Sequence, residues 1–374
     1  MGVCVKLFHI KNRGEGVRKL FVAPLLAALL SLGGAGNAHA VDLSKATING
    51  YVDLEYIQSS NNAGDPNGAF HQHHLSFLMD VPVDERISGH FHIEFDHGVN
   101  TAAPNGGDII VEKSFIQYFH TDRFQFRFGK VLTPFGYYNE VHDATPVFLS
   151  VGIPRTIYRQ DERGGTSMFP KWTTGVNMLG TGEYGDTVVD YIVYVGNGEN
   201  IPTVNDAEHD SNRNKAFGGR IAVQQGELTS VAVSFYNGEK AESASSLTTP
   251  HTTWGLMFAT GIGGLGGLFE YARSDIGGMV DAGAYGQLSY TVNKYCTPYY
   301  RYEWTEPDNR TANDAWVEQI IGVNVMPAEN IIFKAELADH VRGANNRDIG
   351  VDPATAIPYP KNFMDLRFAV TLFF

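Results

Sequence analysis

Between residues 361 and 374 the sequence KNFMDLRFAVTLFF alternates with a period of two. Met364, Leu366, Phe368, Val370, Leu372 and Phe374 fall on one face, and Phe363, Asp365, Arg367, Ala369, Thr371 and Phe373 on the other. Successive strand side chains point to opposite faces, so an unbroken apolar row here backs onto a charged pair. A transmembrane barrel requires this, with lipid on one side of the strand and water or a polar interior on the other. The edge of a soluble sandwich shows the same alternation, so other parts of the chain must decide.

The N-terminal region points the same way. Lys6, Lys11, Arg13, Arg18 and Lys19 precede an apolar stretch from Leu20 to Leu32, and Ala38-His39-Ala40 follows. A basic region, a short apolar core and an A-x-A site are expected to form a secretory signal peptide, residues 1–40, cleaved after Ala40. The apolar run is too short to span a bilayer, and Pro24 interrupts it. Cleavage takes five of the 28 bases and one of the 41 acids, leaving residues 41–374 with a formal charge of −17. So acidic a chain is a poor partner for nucleic acid, which needs clustered Lys and Arg. Cys4 leaves with the leader, and Cys296 then has no cysteine to pair with. No later segment has the ~18 consecutive apolar residues of a membrane helix. With 41 glycines, 18 tyrosines and 23 phenylalanines, the expectation is an all-β chain, and in a membrane only a closed barrel satisfies its backbone.

Sixteen alternating segments are expected, near 46–57, 70–81, 86–96, 110–120, 124–131, 172–180, 186–196, 215–225, 228–237, 251–260, 266–274, 281–291, 294–305, 314–325, 329–341 and 362–374. Every second connection is tight, as at 82–85, 121–123 and 261–265, and the others are long and polar, as at 61–69, 97–108 and 342–360. Short turns at one rim and long loops at the other distinguish a transmembrane antiparallel barrel from a sandwich. With no linker or break in composition, residues 41–374 read as one domain.

The strand faces agree. Phe124, Phe126 and Phe128 oppose Gln125, Arg127 and Gly129; Ile87, Phe91, Ile93 and Phe95 oppose His90, His92, Glu94 and Asp96. An outward Arg or Lys near the bilayer midplane costs roughly 2–4 kcal/mol, so the charges are assigned to the lumen. The inward faces then carry Asp53, Glu55, Asp80, Glu94, Asp96, Asp190, Glu270, Glu303, Glu318, Glu336 and Asp365 against Arg127, Arg220, Arg301, Lys334 and Arg367. Trp172, Trp254, Trp304 and Trp316 lie near strand ends and are assigned to interfacial girdles.

One connection stands apart. Residues 132–171 are too long for a rim loop, and Phe135, Tyr137, Tyr138, Phe148, Val151, Ile153 and Ile157 need cover from water. The lumen is the natural place to bury them. Phe126-Arg127-Phe128-Gly129-Lys130 followed by Thr133-Pro134-Phe135-Gly136, with Phe169-Pro170 and Thr174-Gly175-Val176 on the return, resembles the strand-to-loop junction of Gram-negative outer-membrane porins, particularly the phosphate-selective O/P type. The terminal Phe374 resembles that group's assembly signal, read by the barrel-assembly machinery from the C-terminal strand. The resemblance implies an inward-folded third loop that forms the constriction, a homotrimer in outer-membrane lipid, and passage of small hydrophilic solutes or ions. The constriction and lumen residues expected are Arg127, Lys130, Arg155, Arg159, Arg163, Glu94, Asp96, Arg301 and Arg367. Anion-selective members owe their preference to bases, whereas 132–171 holds Arg155, Arg159, Arg163 and Lys171 against Glu140, Asp143, Asp161 and Glu162. The expectation is therefore weak selectivity leaning to cations, with a phosphate- or anion-selective channel as the alternative.

Other chemistry is less well supported. His71, His73, His74, His90, His92 and His97 cluster in two neighbouring strands, and imidazole with carboxylate suits Zn or Cu. Alternate residues of one strand rarely close a tetrahedral shell, so a polar pore lining is the simpler reading and no metal or cofactor is assigned. No G-x-S-x-G elbow frames a serine, and no enzyme is expected. Gly263-Gly264-Leu265-Gly266-Gly267 lacks the Lys and Ser/Thr of a phosphate loop and reads as a hairpin turn. An outer-leaflet enzyme and a plugged barrel serving as adhesin or anchor remain the readings of another class.

Overall fold

The computed structural model describes residues 43–61, 66–98, 107–141, 145–158, 167–199, 214–226, 229–241, 248–346 and 361–374. The expected leader, 1–40, lies outside them. No helix among the described residues is long and apolar enough to cross a membrane.

Seventeen strand segments among the described residues form one antiparallel sheet. The first is β1 (Thr47–Ser59). β2 (Ala69–His71) and β3 (His74–Pro82) both pair with β1 and make one stave in two pieces. There follow β4 (Ile87–Asp96), β5 (Ile109–Thr121), β6 (Phe124–Leu132), β7 (Trp172–Tyr184), β8 (Thr187–Gly196) and β9 (Ala216–Gln225). The chain continues with β10 (Thr229–Ala241), β11 (Thr248–Ile262), β12 (Leu265–Ile276), β13 (Met279–Tyr290) and β14 (Cys296–Glu306). The last three are β15 (Trp316–Ala328), β16 (Ile331–Arg342) and β17 (Asn362–Phe373). From β3 onward each strand pairs with the next, and β1 pairs with β17 from Tyr51 opposite Phe373 to Ser59 opposite Asp365. The sheet closes on itself as a sixteen-stave barrel, and no edge is left to aggregate.

The faces are inverted relative to a soluble protein. Phe128, Ile221, Phe258, Phe269, Ile321 and Phe368 are all exposed on the outside, whereas Ser76, Arg301, Glu303 and Thr371 are buried inside. Such an exterior suits hydrocarbon, and the closed ladder satisfies the backbone where no water can. The tight rim is built from local turn chemistry. Gly263 and Gly264 (φ 56° and 91°) turn β11 into β12, conformations that a side chain would strain. Asp84 accepts from the amides of Arg86 (2.7 Å) and Ile87 (2.8 Å) in the turn between β3 and β4.

One detail departs from the girdle assignment. Trp316, assigned to a girdle, faces the interior, where its ring is buried and lies parallel to His340. Trp254 does face outward, packed on Tyr271. A tryptophan near a strand end fits either side, so its place follows from strand parity, and Trp316 stands opposite the inward Thr305.

Phe374 seals the seam. Its backbone N–H and C=O each bond Gly50 at 2.9 Å, and its ring packs edge-on to Phe77. A Cβ on Gly50 would sit 2.6 Å from both the Phe374 ring and the Ser76 carbonyl. Gly50→Val is therefore expected to impair closure, measured as loss of the folded-barrel gel shift in unheated detergent samples. A fully shifted variant would show that the seam tolerates the clash.

Candidate functional site: the segment across the barrel interior

The connection from β6 to β7 leaves and returns through a clipped neck. Thr133 N donates to the Lys171 carbonyl at 2.9 Å, and the Thr133 and Thr173 hydroxyls meet at 2.8 Å. Asn139 Nδ2 bonds both the Thr133 and Lys171 carbonyls. From this neck the described residues reach inward-facing side chains on much of the barrel, and a helix too short to stand alone, α1 (Arg155–Tyr158), ends the first part.

Carboxylates on the wall receive the segment's amides. Glu270 on β12 accepts from Tyr137 N at 2.8 Å, from Tyr158 Oη at 2.7 Å and from Tyr285 Oη. Glu336 on β16 accepts from Val151 N at 2.6 Å, and Glu303 on β14 from Thr156 N at 3.2 Å. Asp53 on β1 accepts from Thr145 Oγ1 at 2.9 Å. Cations receive the carbonyls. Lys334 Nζ donates to Thr145 O and Ser150 O, each at 2.6 Å, and Arg301 Nη1 to Ser150 Oγ (2.8 Å) and Gly152 O (3.1 Å). An irregular backbone buried away from water must find partners of this kind, and bonds to charged groups are the stronger ones.

The apolar residues of the segment supply the rest. Phe135, Tyr138, Phe148, Ile153, Ile157, Tyr158, Met168 and Phe169 form the principal core with Tyr194, Tyr236, Ala272 and Tyr285 of the wall. Phe135 stacks on Phe169, with centroids 4.1 Å apart. Gly136 (φ 63°) has no room for a side chain, since a Cβ would come within 2.1 Å of Tyr158 Oη. Burial and then the neighbouring Glu270 push the Tyr158 phenol well above its ordinary value, so it stays protonated and donates.

Opposite this anchoring wall lies a basic group. Arg220 on β9 pairs directly with Glu140, Arg127 Nη1 stands 3.9 Å from it, and Lys113 Nζ donates to its carbonyl at 2.7 Å. Burial alone raises the Glu140 carboxyl, but Arg220, Arg127 and Lys113 outweigh it and hold it below its ordinary value. The contribution of this group to stability is thus present at neutral pH and is lost only on acidification below the usual glutamate range.

The expected residues divide accordingly. Arg127 faces inward, its guanidinium 5.1 Å over the Phe115 ring. Glu94 accepts from Ser76 Oγ (2.8 Å) and Tyr51 Oη (3.2 Å), and Asp96 lies at the long-loop rim beside His97. Arg301 is inward and pairs with Glu303; Arg367 is inward among Glu318, Glu336 and Asp365. Arg155 is an exposed residue at the start of α1. Lys130 is misplaced by the expectation: it stands opposite Ser114 and Thr174, on the outward parity, with its ammonium 4.4 Å above the Trp172 ring. Arg159 and Arg163 lie outside the described residues. Lys113 was missed although regular alternation with Gln117, opposite the inward Arg127, turns it inward; the register between β4 and β5 shifts just beyond it, at His92/Ile93, where Glu112 is the extra residue. No sequence signal marks that bulge.

No family model matches the chain. A stretch of 153 residues is 29% identical to an uncharacterized protein of Aquifex aeolicus (strain VF5), covering 41% of this chain and 32% of that protein, so the match spans about a third of the relative's length. Among solved structures, an anion-selective porin from Comamonas acidovorans superposes with a TM-score of 0.59 at 13% identity, over 88% of this chain and 99% of that one. OmpF of Salmonella typhi, in complex with daunomycin, gives 0.60 at 8% identity, and the outer membrane channel DcaP of Acinetobacter baumannii 0.55 at 11%, each over 88% of this chain and 97% of the other. At such identities the likeness is one of fold, the closed antiparallel barrel that these proteins share.

Replacing Glu270 by Ala should release the start of the segment, because buried donors left without an acceptor cost about 1–3 kcal/mol each. Amide exchange at Tyr137 is expected to rise by about tenfold or more, while Val151, bonded to Glu336, stays protected. Equal exchange at Tyr137 in both proteins would remove Glu270 as an anchor.

Proposed function

We propose that this chain is a passive diffusion channel of the bacterial outer membrane, admitting small hydrophilic solutes and ions. The observation that carries the reading is the charged segment bound across the interior of a sixteen-stave barrel whose outer face is apolar. Barrels of this strand number leave an aqueous passage unless something narrows it, and a segment bound to the inner wall on several strands narrows it. The leader at 1–40 supplies export, and the closing strand with Phe374 supplies recognition by the assembly machinery. A trimer is the natural assembly; one similar structure, OmpT of Vibrio cholerae, is described in a trimer form.

Selectivity is proposed to be weak and to lean to cations. Ion preference depends on the narrowest ring more than on wall charges screened within ~8–10 Å. Beside the segment, Lys113, Arg127 and Arg220 surround Glu140, while Glu303, Glu318 and Glu336 lie with Arg301 and Arg367 on the other wall. Crossed charges of this kind set a transverse field that passes polar solutes and discriminates little by sign. The basic group gives a second reading specific support: without Glu140 it would favour anions, as expected for the phosphate-selective type.

Reversal potentials in planar bilayers under a tenfold KCl gradient test both readings. The unsubstituted protein should show a small potential of cationic sign, and Glu140→Gln should shift it clearly toward anions. Strong anion preference before substitution, or block of current by low phosphate, would overturn the first reading in favour of the second. Absence of any conductance from folded protein would remove the channel itself.

A further inference from the structure

Three histidines and three carboxylates meet at the long-loop rim, on the inner side of β1, β3 and β4. The barrel's alternation breaks there twice, and both breaks matter. From the Glu55–His71 pair to the Val52–Leu75 pair, β1 advances three residues and its partner four. The extra residue is a β-bulge at Gln72–His73. It turns His73 to the same side as His74, and their rings stack with centroids 3.7 Å apart. Across the ladder, His97 follows β4 with φ 53°, a conformation uncommon outside glycine. Successive residues of a regular strand would diverge, but here His97 Nδ1 lies 2.6 Å from Asp96 Oδ1. One hydrogen bond, His97 N to the His73 carbonyl at 2.8 Å, ties the two breaks together.

The result is a donor set. A ring nitrogen of His73, a carboxylate oxygen of Asp96 and a ring nitrogen of His97 all lie within 4.8 Å of one another. His73 Nε2 faces Asp96 Oδ1 at 4.0 Å, and its Nδ1 faces Glu55 Oε1 at 3.2 Å. A carboxylate on the far nitrogen of a metal-binding histidine fixes its tautomer and raises its basicity. His74 is held in turn by Asp53, through Nδ1 at 2.9 Å, and backs the His73 ring. Ligand atoms on a tetrahedral zinc sit roughly 3.4 Å apart, given bonds of about 2.0–2.2 Å. The 2.6 Å and 4.0 Å separations straddle that value.

We propose that His73, Asp96 and His97 bind a borderline divalent cation such as Zn²⁺, with Glu55 as the supporting carboxylate and water completing the shell. Two imidazoles with one carboxylate select Zn²⁺, Cu²⁺ or Ni²⁺ over Mg²⁺ and Ca²⁺, which prefer oxygen. Regular alternation argues against a shell here, and the ligands meet because a residue on each side breaks it. Bound there, the ion places two positive charges at the mouth of the barrel, beside Asp53 and Glu55.

The test is calorimetric titration of Zn²⁺ into detergent-folded protein carrying no histidine tag, near neutral pH. It does not depend on conduction, so it fails or succeeds separately from the channel reading. One ion per chain is expected, weakened about tenfold or more in His73→Ala and in His97→Asn, since loss of even a group that supports a ligand typically costs 10–100-fold. Asparagine tolerates the left-handed backbone at 97, so that variant removes a ligand and keeps the bulge. His90→Ala, which alters the Asp80 pair on the inner wall below the rim, should bind Zn²⁺ unchanged. Unaltered affinity in His73→Ala or His97→Asn, or equal binding of Mg²⁺, would overturn the proposal.

Discussion

Hydrogen bonds from buried wall carboxylates to the backbone of the crossing segment hold the interior of this barrel together. Glu270, Glu303 and Glu336 each accept an amide of residues 137–156 from a different strand. A soluble protein buries apolar side chains at its centre; here the apolar side chains face outward and the centre is polar. The described residues of the connection between β6 and β7, entering that centre, bring amides and carbonyls that must be paired. Ionised partners suit the task because bonds to charged groups are roughly twice as strong as neutral ones.

The same requirement absorbs much of the charge that the strands direct inward. Lys334 and Arg301 are engaged by segment carbonyls, Arg220 by Glu140 and the Gly136 carbonyl, and Arg367 by Glu318, Glu336 and Asp365. Inward charge is therefore first a clamp and only then a field. A tally of lumen acids and bases misleads for that reason, since the field in the lumen comes from the charge left after pairing. The Glu140 group is the clearest instance, with three cations gathered around one carboxylate contributed by the segment itself.

Much of the barrel was legible in the sequence because the membrane imposes a period of two on every stave. The closing strand shows the reason: Leu366, Phe368 and Leu372 are exposed, whereas Asp365 and Thr371 are buried. Sequence reading went astray where parity was decided by something other than residue type. Trp316 is amphipathic and suits either face, and Lys130 lies an odd step beyond Arg127. Bulges were beyond reach, so the extra residue at Glu112 and the paired turns at His73 and His97 went unread. The anchoring contacts were illegible in a deeper sense. Val151 and Glu336 are 185 residues apart, and nothing local to either names the other.

The central claim is that the segment, pinned by these carboxylates, sets the passage through the barrel. Single-channel conductance of a variant lacking residues 139–165, compared with the intact protein in the same bilayer and salt, tests it most directly. The neck bonds between Thr133 and Lys171 and between Thr133 and Thr173 lie outside the deletion, so the staves they join remain clipped. The account predicts a conductance several-fold higher with the barrel still folded. An unchanged conductance in a folded deletion variant would contradict it.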